Sequence, residues 1–152
     1  MEKIKINPLK LIGISVRTTN ENGQSAKDIP FLWNKFFEEN IPSQIHNKIG
    51  TDIYCMYTDY VKEHTQPYTA IIGLPVTDLD SIPKGLIGKV IDGGDYTSFS
   101  AKGKISEGIV FNEWLKIWAS PIDRKYTSDF EVYDLQSLSS ENAEVKIFIA
   151  LK

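Results

Sequence analysis

The sequence predicts an α+β fold made of two β-α-β-β repeats with antiparallel sheet. Three observations carry this. Two helical segments each bear an aromatic stripe, each is preceded by a strand-like run and followed by two more, and the two rounds match in residue class at an offset of 77.

Residues 10–18 are rich in β-branched side chains and partly alternate, which predicts a first strand. Residues 20–26 are turn-rich, and Asp28-Ile29-Pro30 offers an N-cap with Pro in the first helical turn, so a helix is expected over 29–39. Trp33, Phe36 and Phe37 form its apolar stripe, and Asn40-Ile41-Pro42 ends it. The aromatic and β-branched runs 52–59 and 68–76 then predict a hairpin with a long connection.

Residues 78–85 combine Asp, Ser, Pro and Gly and read as a linker. A second round follows. Residues 86–100 are strand-like, with a bend or bulge at Gly93-Gly94. Residues 105–119 are helical, with Phe111, Trp114, Ile117 and Trp118 on one stripe and Ser120-Pro121 as terminator. Runs 129–135 and 144–151 complete a second hairpin. At the offset of 77, Ile14 faces Ile91, Phe37 faces Trp114, Asp52 faces Asp129, Ile53 faces Phe130 and Leu74 faces Leu151, so a duplication is expected.

At 152 residues the chain is expected to form one domain, with repeat one over about 1–77 and repeat two over about 84–152. A net charge of -3 without a Lys/Arg block argues against direct nucleic-acid binding. No run approaches a membrane span and the first residues lack an apolar signal core, so no membrane partner and a cytoplasmic location are expected. The single cysteine, Cys55, lies in an apolar run and reads as a small core residue rather than a reactive thiol.

Glu131 is the most informative residue, because at the offset of 77 it stands where the first repeat has Tyr54. Strand alternation puts Phe130 and Val132 on one face and Glu131 with Tyr133 on the other. An unpaired carboxylate in a closed aromatic cleft is costly to bury, and a cationic ligand would offset that cost. The residues alone favour a plainer arrangement, a solvated strand face or a pair with Lys146 on the neighbouring strand. His46 and His64 fall in polar loops and no cluster has metal-ligand spacing, so no metal site and no cofactor are expected. There is also no Gly-rich phosphate loop and no nucleophile elbow around a serine.

Taken together, Ile91-Asp92-Gly93-Gly94-Asp95-Tyr96-Thr97-Ser98-Phe99, Gly103, Trp114-Leu115 and Phe130-Glu131-Val132-Tyr133 resemble the GyrI-like effector-binding superfamily. Ile29-Pro30-Phe31-Leu32-Trp33 and Asp52-Ile53-Tyr54 extend the likeness over nearly the whole chain. The short chain and the Trp placement look most like the integron-cassette effector-binding proteins. The resemblance implies tandem SHS2-type modules related by a pseudo-twofold, with a multidrug-binding cleft between them that holds cationic, aromatic compounds around a buried glutamate. Glu131 matches that glutamate, which reverses the plainer reading. Tyr54, Phe99, Trp114 and Tyr133 are the expected cleft walls, with Trp33 and Phe111 as further candidates.

The expected function is therefore a stand-alone small-molecule effector-binding protein, without a catalytic residue. In the AraC and MerR regulators such a cleft is coupled to a helix-turn-helix, which is not read here, so a separate transcription regulator is a candidate partner. Two alternatives remain open. One is a hydrolase in which Glu131 acts as general base on a reactive small molecule. The other is a protein-interaction module, gyrase-inhibitor-like or bound to a regulator.

Overall fold

Apolar and β-branched runs, alternating at the edges and nearly continuous in the centre, form eight strands among the described residues, and Gly, Pro and Asn residues set the breaks between them. The computed structural model describes residues 2–139 and 141–152. In chain order the elements are β1 (Ile4–Ile6), β2 (Leu9–Thr18), α1 (Ser25–Glu38), the single turn α2 (Ile41–Gln44), β3 (Ile53–Thr58) and β4 (Tyr68–Val76). The second round is β5 (Ile87–Ile91), β6 (Gly94–Gly103), α3 (Ile109–Ala119), β7 (Ser128–Tyr133) and β8 (Ala143–Ala150). This is the expected β-α-β-β order twice over, with one short strand added ahead of each round.

All eight strands join one antiparallel sheet in the order β1-β6-β8-β7-β3-β4-β2-β5. The halves meet at β3 and β7, where Cys55 pairs with Glu131 and Met56 with Phe130. The added strands cross over: β1 borders β6 of the second round, and β5 borders β2 of the first. Each repeat thus supplies the outer edge of the other. That exchange was not legible in a three-residue run at the start of the chain, nor in the run 86–100, which the structure splits into β5 and β6 at Asp92-Gly93.

The offset of 77 does not survive residue by residue. Ile14 lies in β2 but Ile91 lies in β5, and Phe37 is 46% exposed whereas its supposed counterpart Trp114 is buried. Likewise Tyr54 pairs with Val132, so it projects on the face opposite Glu131. A shift of one residue exchanges the two faces of a strand, and the fixed offset makes that slip between β3 and β7.

The helices also begin differently from expectation. α1 starts at Ser25, which leaves Pro30 in its second turn, where it withdraws the N–H that the Ala26 carbonyl would otherwise receive. Asn40, in the left-handed region at φ 51°, ends it. The buried side of α1 is Leu32 and Phe36 rather than the full Trp33-Phe36-Phe37 stripe. Residues 105–107 form a 3-10 turn, and α3 begins after Gly108, whose φ of 77° suits glycine.

One face of the sheet carries the main core, Ile12, Ile14, Ile72, Val145, Ile147 and Ile149 among others, under the two helices. α1 packs on β2 and β4, and α3 packs on β6. The helices therefore cover the outer strands of each half and leave the central strands β3 and β7 open between them. On the opposite face the sheet curls, so that Leu11 and Ile91 of one half share a buried cluster with Met56, Phe130 and Tyr96. Gly13 and Gly73 form a cross-strand pair within that curl, and a Cβ on Gly13 would stand 2.0 Å from the Ile72 carbonyl oxygen.

Candidate functional site

The gap above β3 and β7 is a cavity of about 410 Å³. Its floor is Tyr57, Glu131 and Tyr133, the side chains that alternation sends toward the helices. α1 contributes Ile29, Pro30 and Trp33, and α3 contributes Phe111, Trp114 and Trp118. The loop between β3 and β4 closes one side with Tyr60 and His64, and Arg124, between α3 and β7, lies on the lining too.

Glu131 is 1% exposed, and among the described residues no basic side chain bonds to it. Three neutral donors hold it instead. The Tyr57 hydroxyl and the Trp114 indole Nε1 donate to Oε2 at 2.9 and 2.6 Å, and the Tyr133 hydroxyl donates to Oε1 at 2.6 Å. Burial pushes the carboxyl pKa up, and the hydrogen bonds from Tyr133, Trp114 and Tyr57 pull part of the way back. The Lys146 pair expected as the plainer alternative does not form, because Lys146 pairs with Val132 and lies on the other face.

The aromatic walls brace one another. Trp33 meets Tyr133 edge-on at 4.8 Å, and Trp114 meets Tyr57 edge-on at 5.5 Å. Trp118 packs between His64, stacked at 5.2 Å, and Phe111 at 6.1 Å. Phe111 is 59% exposed and forms part of the cleft mouth. Tyr68, on β4, bonds through its hydroxyl to Asn20, and burial pushes its pKa up to about 12.

Two residues along β7, a second buried acid has a different role. Asp129 receives Arg124 Nη2 at 2.7 Å, the Tyr60 hydroxyl at 2.6 Å and the Ala150 backbone N–H at 2.9 Å. It is the fully paired carboxylate of the strand.

Of the residues singled out from sequence, Glu131, Tyr133, Trp114, Trp33 and Phe111 come together on this cleft. Two do not. Tyr54 stacks on Phe130 at 5.7 Å on the opposite face, a consequence of the register described above. Phe99 is on the helix side of the sheet, but in β6 beneath α3, and packs into the core instead of lining the cavity. Sequence reading passed over Tyr57, Tyr60, His64, Trp118 and Arg124. Tyr57 is placed by the pairing of Cys55 with Glu131 across the two halves, a register that no local pattern in the sequence marks. His64, read from sequence as lying in a polar loop, and Arg124 are brought in by loops, and no local pattern marks them.

Among the described residues, no helix is long and apolar enough to cross a membrane.

Comparison with known proteins agrees with the architecture. The chain is 28% identical to the integron cassette protein VCH_CASS2 from the mobile metagenome of Vibrio cholerae, with a TM-score of 0.77 over 99% of this chain and 95% of that one. It superposes on SAV2435, solved bound to tetraphenylphosphonium, with a TM-score of 0.80 at 18% identity, covering 99% of this chain and 93% of that one. It is 26% identical over 147 residues to YobU of Bacillus subtilis (strain 168), which carries a transcriptional-regulator name, and the match spans 94% of this chain and 92% of YobU. The model of the Cass2 family, integron-associated effector binding protein, matches residues 4–151, and the chain belongs to that family.

Proposed function

We propose that the chain, as a single effector-binding domain, binds amphipathic organic cations in this cleft with Glu131 as the counter-charge. One observation carries the reading: a carboxylate at the floor of an aromatic cavity, held by three neutral donors and, among the described residues, by no cation. Burying such a charge is unfavourable without a partner, and a ligand cation supplies one. The surrounding rings add about 0.5 to 2 kcal/mol for each cation–π contact. That SAV2435, which shares the fold, was solved with tetraphenylphosphonium supports the same ligand chemistry.

The geometry favours binding over general-base catalysis. Both oxygens of Glu131 already accept hydrogen bonds, two of them at 2.6 Å, so the carboxylate is preorganised as a fixed negative charge. The test is a titration with tetraphenylphosphonium followed by tryptophan emission, since Trp33, Trp114 and Trp118 all line the cleft. Saturable quenching is expected. A flat emission signal across a broad panel of aromatic cations would overturn the reading.

A further inference from the structure

The cleft has a second polar end that a simple cation leaves unused. Arg124 lines the cavity and is 5% exposed, yet among the described residues only Nη2 of its side-chain donors is engaged, by Asp129. Its Nε and Nη1 are buried without a hydrogen-bond partner. His64 Nδ1, on the same cavity, is also buried and unpartnered, with its nearest acidic oxygen, on Glu63, at 3.7 Å. Unmet buried donors are costly, and those of Arg124, with an unpartnered imidazole nitrogen on the same cavity, mark a place where a ligand acceptor belongs.

Trp114 ties this end to the carboxylate. Its Nε1 bonds Glu131, and the Arg124 guanidinium carbon stands 5.8 Å from its ring centroid. The guanidinium also lies 4.3 Å from the Tyr126 ring. A planar ligand lying along the indole would therefore reach both ends of the cleft.

We propose that the cleft is bipolar, and that its ligands are monocations which also carry an uncharged carbonyl acceptor, as in an ester or amide, placed to receive hydrogen bonds from Arg124 Nε and Nη1 with His64 beside them. This rests on the cation reading of the same cleft and narrows its ligand class. Charge balance selects the neutral acceptor. Asp129 already neutralises Arg124, so a ligand carboxylate would bring an unbalanced negative charge, whereas a carbonyl meets the unused N–H groups without one.

The experiment compares three triphenylphosphonium probes that differ only in their fourth substituent: a heptyl chain, an ethyl butyrate ester of the same length, and the corresponding free butyrate. Calorimetric titration of the wild-type protein should rank the ester about tenfold tighter than the heptyl probe, the worth of a hydrogen bond to a charged donor, with the carboxylate weakest. In Arg124→Lys the ammonium still reaches Asp129 but offers no second planar edge, so the ester-to-heptyl ratio should collapse toward one. Equal wild-type affinities for ester and heptyl, or a preference that survives Arg124→Lys, would overturn the bipolar cleft while leaving the cation reading standing. Binding of none of the three would overturn both. The wild-type ranking decides the matter even if the variant does not fold.

Discussion

Trp114 donates its indole N–H to Glu131 Oε2 at 2.6 Å, so a wall of the cleft is also a fixed partner of the charge on its floor. The ring that would contact a bound cation is oriented by the carboxylate that would attract it. Packing alone would leave an indole on an apolar helix stripe free to choose among rotamers; this hydrogen bond selects one.

Glu131→Gln should weaken tetraphenylphosphonium by about 30-fold or more while leaving a neutral analogue such as triphenylphosphine oxide nearly unchanged. The fold should be as stable as the wild type or slightly more so. The amide carbonyl still accepts, and a tyrosine hydroxyl can turn to accept from the new NH2, while the cost of a buried unpaired charge is gone. Melting temperature and affinity measured on the same variant check it, and a clear loss of stability with intact cation binding would refute the assigned role.

The raised pKa of Glu131 fixes the sign of two pH dependences. A carboxyl that is harder to ionise in the folded than in the unfolded state binds more protons when folded. Its contribution to stability is therefore favourable at low pH and is lost as pH rises from the ordinary glutamate value through the folded one. Cation affinity runs the other way, falling as pH drops through the folded pKa and the counter-charge is neutralised. Subtracting the pH profile of Glu131→Gln from that of the wild type should expose both slopes with opposite sign.

Tyr133→Phe keeps the ring against Trp33 but removes the 2.6 Å donor to Oε1. Losing that donor disfavours the ionised form, so the pH midpoint for cation binding should move upward and stability near neutral pH should fall by about 1 to 3 kcal/mol. Tyr54→Phe is the matched control. Its ring stays on Phe130 on the far face, and cation affinity should equal that of the wild type.

Much of this was legible in the sequence, for reasons that can be named. Aromatic stripes and Pro-Gly punctuation are local signals, and they gave the order of strands and helices. Alternation in Asp129-Phe130-Glu131-Val132-Tyr133 correctly put Glu131 and Tyr133 on one face. Tyr54 failed because an assumed repeat offset cannot detect a one-residue difference in register, and register is set by the pairing of Cys55 with Glu131 across the two halves. Phe99 failed because sharing a sheet face does not decide which strands the helices cover. His64 and Arg124 reach the cavity through loops, where tertiary packing rather than period decides position.

The two buried acids of β7 should respond oppositely to the same change. Asp129 is fully buried and engaged by Arg124, Tyr60 and the Ala150 N–H, so Asp129→Asn removes the charge opposite an arginine that is itself only 5% exposed. Breaking a buried pair from one side leaves an uncompensated charge, at a cost of about 3 to 5 kcal/mol. Glu131 has no cationic partner among the described residues, so its amide variant incurs no such penalty. Urea unfolding of the two variants side by side should therefore show a large drop in midpoint for Asp129→Asn and none for Glu131→Gln. The reason lies in what each carboxylate faces: Asp129 a cation of the protein, Glu131 only neutral donors and an open cleft. Equal destabilisation of both would mean that Glu131 also serves the fold, and the case for it as a ligand's counter-charge would fall.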